Sequence, residues 1–124
     1  MYKAIRVYVA GAISAPNPLD LFDNLRRGID TGAQLFDLGF SPFTPHLDYQ
    51  LALARKLDVT IEDFYRYSEN FLDVCHAVFV VDNPRNAQSK GLEAELIRAK
   101  FKGIPVFSDL DTLVNWAQER QTNG

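Results

Sequence analysis

The chain has 124 residues, 47% hydrophobic and 23% charged, the balance of one soluble globular domain (1–124) with room for a proper core. Thirteen basic against sixteen acidic side chains leave a net charge of −3 and no basic cluster, which argues against duplex nucleic acid as a partner, because neutralising phosphates takes a basic face. A single cysteine, Cys75, rules out an internal disulfide and fits a reducing compartment; with no apolar leader and no span of membrane length in the sequence, the expected location is the cytoplasm.

In chain order, residues 4–10 read as a first strand ended by Gly11, followed by a loop with two prolines. A helix is expected over 20–38, with Phe22, Leu25, Ile29, Ala33 and Phe36 at helical spacing as its inward stripe. Gly28 and Gly32 lie four apart within it, and interior glycines cost helix stability, so close packing against a neighbouring backbone is expected there. Gly39 stops the helix. Residues 40–43 form a short second strand, which Pro42 assigns to an edge. A loop over 44–48 and a short helix over 49–56 follow. Thr60, with Asp63 three residues on, predicts an N-cap. The helix it opens carries Ile61, Phe64, Tyr65, Ser68, Phe71 and Leu72 inward, Ser68 being the one small polar residue on that stripe.

Residues 77–82 are an unbroken run of apolar strand formers ending in Asp82, the pattern of a strand buried on both faces of a parallel sheet. A turn with Asn83 and Pro84 leads to Ser89-Lys90-Gly91 and a helix to about Lys102, whose Leu92, Leu96 and Ala99 form the packing stripe; Gly103 ends it. Residues 104–107 are the last strand, Asp109 or Asp111 caps a final helix with Leu113, Val114, Trp116 and Ala117, and 121–124 are expected to fray.

Strands alternating with helices through short, right-handed connections predict a three-layer α/β/α fold. Its central parallel sheet has four to five strands in the order 2-1-3-4(-5), a flavodoxin- or Rossmann-like arrangement. Ligands in such sheets bind beyond the carboxyl ends of the strands, where the order reverses. Here that crevice is walled by Gly11, Ala12, Ile13 and Ser14 on one side and by Asp82 and Asn83 on the other, with the helix beginning at Gly91 as a floor.

Familiar signatures are missing from it. There is no GxGxxG after the first strand, no GxxxxGK[ST], and no pair of acids after that strand such as a phosphoacceptor domain needs. His46 and His76 are isolated and one cysteine cannot build a zinc site, so neither a metal nor a cofactor is expected. A mononucleoside remains compatible, since dipoles and backbone amides can hold it. Cys75 ends an apolar helix face and reads as a buried structural thiol. Glu95, one turn past Gly91, is either a charge offsetting the helix dipole or a reacting carboxylate kept ionised by the helix N-terminus. As the latter it would attack an anomeric carbon, whose transition state gathers positive charge. Glu93, two residues away, must face differently.

The segments Val7-Tyr8-Val9-Ala10-Gly11, Cys75-His76-Ala77-Val78-Phe79-Val80-Val81-Asp82 and Ser89-Lys90-Gly91-Leu92-Glu93-Ala94-Glu95-Leu96, in that order and spacing, resemble the nucleoside 2-deoxyribosyltransferase superfamily, which includes the 2′-deoxynucleoside 5′-monophosphate N-glycosidases. The Ser-Lys-Gly start is most similar to bacterial and phage members. The resemblance implies that Glu95 is the nucleophile that attacks C1′ of the sugar, that Tyr8 orients it, and that Gly11 lies where backbone approaches the ligand. It further implies that Ser89 contacts sugar or phosphate, that His46 stands beside the substrate, and that the protein is a homodimer or larger. Each residue also has a plainer role open to it: Tyr8 as core, His46 as a turn residue, Ser89 as an N-cap. Two positions depart from the family pattern. Ser68 stands where the family has a helper aspartate, and a serine is no general acid or base near neutrality. Ala12 and Ser14 stand where the nucleotide glycosidases hold a 5′-phosphate with serine and arginine, leaving the Ile13 and Ser14 amides and Ser89 for an anion. These departures keep a second expectation in view, a non-catalytic nucleotide-binding or sensor domain of the same fold.

Overall fold

A computed structural model describes Tyr2, residues 4–54 and residues 59–123. The elements are β1 (Arg6–Ala10), α1 (Pro18–Asp37), β2 (Ser41–Phe43), a 3-10 turn (Pro45–Asp48), α2 (Tyr49–Ala54), α3 (Ile61–Leu72), β3 (Ala77–Val80), a second 3-10 turn (Pro84–Gln88), α4 (Lys90–Lys102), β4 (Val106–Phe107) and α5 (Leu110–Asn123). The sheet is four-stranded and all parallel, in the order β2-β1-β3-β4, as the sequence pattern predicts; β2 and its proline are at an edge.

Successive residues of a strand face opposite sides, and β1 and β3 sort their side chains accordingly. Val7, Val9, Ala77 and Phe79 pack with Leu35 of α1 and with Leu113 and Ala117 of α5. Tyr8, Ala10, Val78 and Val80 pack with Leu72 at the end of α3 and with Leu92, Leu96 and Ala99 of α4. Two helices cover each face, so the central strands are buried on both sides and read as continuous apolar runs. In register, Tyr8 lies between Phe43 and Val78.

The helix ends follow local chemistry. Asn17 caps α1 by accepting from the Asp20 amide at 2.9 Å, with Pro18 preorganised in the first turn. Thr60 and Asp63 form the expected capping box. Gly103 closes α4 at φ +72°, a left-handed conformation that glycine adopts without strain. Asp109, rather than Asp111, caps α5, accepting from the Thr112 amide at 3.0 Å. That helix is α-helical over Leu110–Asn123. Of the short helix expected over 49–56, Tyr49–Ala54 is helical, and the last two positions lie outside the described residues.

The inward faces of two helices differ from expectation. In α1 the buried residues are Asn24, Gly28, Gly32 and Leu35, whereas Phe22 and Phe36 are 58% and 71% exposed. The reason is close approach. A Cβ on Gly28 would fall 2.2 Å from the His46 ring, and one on Gly32 would fall 2.5 Å from the Thr44 hydroxyl. The contacts at these glycines are therefore side chains after β2, not a neighbouring backbone, and the apolar stripe is left on the outer face. In α3 only Leu72 is buried, while Ile61, Tyr65 and Phe71 remain exposed and Ser68 is half-buried.

Candidate active site

Leu92 and Ala99 anchor α4 on the sheet. Glu95 lies three residues after the first and four before the second, so it belongs to the same inward face. It is in the second turn and half-buried; Glu93 points to solvent. From the sheet, Tyr8 is turned towards α3 and α4 by strand alternation, and its phenol donates a hydrogen bond to Glu95 Oε2. Ser68 of α3 lies on the same side, near enough to the phenol to favour the phenolate a little. Thus three of the residues singled out from the sequence, drawn from β1, α3 and α4, meet.

The electrostatics of Glu95 run against the sequence expectation. Burial pushes its carboxyl up to about 7, and the Tyr8 hydrogen bond offsets only part of that. The second turn lies past the stretch where a helix dipole is strong, so desolvation wins. Burial, with the Glu95 charge next, pushes Tyr8 well above the ordinary tyrosine value. At neutral pH the tyrosine is a proton donor and Glu95 exchanges readily between acid and carboxylate.

The expected crevice between the ends of β1 and β3 is bridged by protein groups. Asn86 accepts from the Ala12 amide at 3.0 Å and donates to the Val81 carbonyl at 2.7 Å. Asn83 is buried, donates to Asn24 Oδ1 at 2.8 Å and accepts from the Arg85 amide. Asn24 in turn donates to the Ile13 carbonyl at 3.0 Å. Arg85 donates to Asn24 and Asp23, and Arg27 donates to Asp23 and to the Asp82 carbonyl. Arg27 foremost, then Arg26 and Arg85, hold the Asp23 carboxyl down at about 2. Ser14 and Asp82 are exposed at the margin of the network.

The remaining positions have the following surroundings. Gly11 is glycine because a Cβ there would lie 2.8 Å from Val81 Cβ, so the strand ends approach closely at this point. Ser89 is the N-cap of α4, accepting from the Leu92 amide at 3.1 Å. Gly91 is half-buried, and a Cβ there would meet only Tyr65 at 3.9 Å and Ser89 Oγ at 4.0 Å, ordinary contacts. His46 is buried and packs on Gly28, near Gly11, rather than on the Glu95 side. Burial lowers its pKa to about 4, and the Ala12 backbone lies close enough to offset a little of this without reaching hydrogen-bond geometry at either ring nitrogen.

Asn24, Arg85 and Asn86 were not singled out from the sequence. Their signal was the row Asn24, Gly28, Gly32, four residues apart, which marks the true inner face of α1, and the paired Asn83 and Asn86 flanking a proline turn. A groove of about 710 Å³ lies elsewhere, beside β2, lined by Ile29, Phe36, Phe40, Pro42, Phe71 and Val74 among others, and neither Tyr8 nor Glu95 reaches it. Among the described residues no three His, Cys, Asp or Glu side chains converge as metal ligands, and no helix is long and apolar enough to cross a membrane.

The chain matches no family model and, at significance, no curated protein.

Proposed function

We propose that the protein cleaves or transfers the N-glycosidic bond of a (deoxy)nucleoside through a glycosyl ester on Glu95. The observation that carries this reading is the inward carboxyl of Glu95, hydrogen-bonded by the buried phenol of Tyr8 at the helix that follows the central strand. Tyr8 occupies one carboxylate oxygen and leaves the other for attack at C1′. As the C1′–N bond breaks, its electron pair goes to the base, which takes a proton from solvent, since Ser68 cannot supply one near neutrality. Water, or a second base, then displaces Glu95 from C1′, and two inversions give retention. No cofactor enters this chemistry.

The bridged crevice favours a nucleoside over its monophosphate. The Ala12 amide is taken by Asn86, Ser89 Oγ by the Leu92 amide, and Arg85 by Asn24 and carboxylates. These groups are already engaged, which leaves the Ile13 and Ser14 amides as the principal donors an anion would meet. We place the activity in the cytoplasm, where Cys75 stays reduced, and in a homodimer or larger assembly.

The test is a panel of nucleosides and monophosphates with free base followed by chromatography. Wild type releases base, whereas Glu95→Ala and Glu95→Gln lose at least about a thousandfold, as expected when a covalent nucleophile is removed. Equal activity in these variants overturns the assignment. A ligand-induced rise in melting temperature with no turnover in the wild type favours the nucleotide-binding domain instead.

A further inference from the structure

The Tyr8 phenol donates to Glu95 Oε2, and the direction that proton takes depends on where the ring is held. The residue is fully buried, so its neighbours fix the ring. In the parallel pairing Tyr8 of β1 stands beside Phe43 at the end of β2. The two rings stack, with centroids 5.7 Å apart and planes 29° from parallel. Phe43 is held in turn by α3. Phe71 stacks on it at 4.4 Å and 8°, and Tyr67 tilts against both, 6.3 Å from Phe43 and 5.2 Å from Phe71. Ring pairs of this kind add orientation-dependent attraction to the area they bury. A train of rings therefore runs from α3 through the edge strand to the phenol. In the sequence Phe43 is only the last residue of a short strand with a proline in it; the contact joins three elements and no local pattern marks it.

We propose that Phe43 is a positioning residue: its ring, backed by Phe71, fixes the Tyr8 phenol in the place from which its proton reaches Glu95 Oε2. Phe43 touches neither Glu95 nor the reacting atoms and acts only through Tyr8. With a flat ring at 43 the phenol is held in one orientation and the carboxylate of Glu95 keeps its donor. With a flexible aliphatic side chain there, the phenol gains freedom, the bond is made less of the time, and the carboxylate loses part of its support. The inference deepens the reading of Glu95 as nucleophile and takes its functional meaning from it. The other ionisable groups on the elements packed around Glu95 are Cys75, whose thiol burial pushes up to about 11, Tyr65 beside Gly91, Tyr67 on the ring train, and the paired Asp73 and Arg98.

The experiment is a carbon-13 NMR titration of the Glu95 carboxyl in the full chain, which needs no turnover. The wild-type midpoint lies near 7. Tyr8→Phe raises it by about 1–2 pH units, and Phe43→Leu raises it by about half a unit. Phe43→Tyr, which keeps the flat ring, stays at the wild-type midpoint. In a Tyr8→Phe background Phe43→Leu adds nothing, because the group it acts through has already lost its proton. Phe71→Leu, at a ring 40% exposed, moves the midpoint the same way by a smaller step and decides the matter if Phe43→Leu does not fold. A Phe43→Leu midpoint equal to or below wild type overturns the proposal, since opening the site to water alone would lower it. So does a shift that persists undiminished in the Tyr8→Phe background, or a Phe43→Tyr midpoint displaced as far as that of Phe43→Leu. The nucleoside panel is read separately: the expected titrations with no base release leave the positioning role standing and remove the glycosidase reading, and base release with an unmoved Phe43→Leu midpoint does the reverse.

Discussion

Glu95 and His46 are buried ionisable groups displaced in opposite directions, Glu95 from 4.5 to about 7 and His46 from 6.5 to about 4. Between 4.5 and 7 the folded protein holds more protons at Glu95 than the unfolded chain does, so this group's contribution to stability falls as pH rises. Between 4 and 6.5 the unfolded chain holds more protons at His46, so that contribution falls as pH drops. Each amounts to about 3 kcal/mol over its window, and from 4.5 to 6.5 the two slopes nearly cancel. Glu95→Gln removes one of them. The stability difference between variant and wild type, from urea denaturation at a series of pH values, should therefore grow in the variant's favour from pH 4.5 to 7 and then level off. The lowered carboxyls of Asp23, Asp63 and Asp73 are common to both proteins and drop out of the difference. The same ionisation governs chemistry: kcat/KM for base release should rise about tenfold per unit on its acid limb and turn over near pH 7, because only the carboxylate attacks. Tyr8→Phe should move that limb to higher pH.

At the scale of elements, α1 shows why the spacing of apolar residues can mislead. Its Phe22, Ile29 and Phe36 recur at helical intervals, yet they lie on the outer face. What decides the orientation is contact with residues after β2, and Thr44 and His46 lie far along the chain from Gly28 and Gly32. The strands and their order were legible because β1 and β3 are buried on both faces. The stripe on α4 was legible because Leu92 and Ala99 are large or small exactly where the sheet requires. The meeting of Tyr8, Ser68 and Glu95 was legible only through the resemblance and the two inward stripes. The Asn86 bridge was not, since it joins loops through a side chain that no local pattern marks. Glycine substitutions separate these cases. Gly28→Ala adds helix propensity worth about 1 kcal/mol but drives a methyl into the His46 ring at 2.2 Å, and overpacking of that kind outweighs it, for a net loss of about 2 kcal/mol or more. Gly91→Ala meets only ordinary contacts and should be neutral or stabilising by up to about 1 kcal/mol. Urea denaturation of the two variants checks the opposite signs, and pairing Gly28→Ala with His46→Ala should recover part of the loss.

Across the whole molecule the outer face of α1 and the groove beside β2 form one apolar surface, with Phe36 at 71%, Val74 at 53% and Leu47 at 54% exposure. The edge strand is a poor template for adding another strand, since β2 is three residues long with Pro42 in the middle and a proline offers no amide. What is left is side-chain docking across the face, the mode open to the homo-oligomer proposed above. Sedimentation velocity at tens of micromolar should therefore show a dimer or larger species. Phe36→Glu, whose side chain already faces outward, should shift it to monomer while leaving the far-ultraviolet circular dichroism unchanged. A wild-type protein that sediments as a monomer under those conditions would leave this face without the partner assigned to it. A Phe36→Glu variant that stays dimeric would move the interface elsewhere on the molecule.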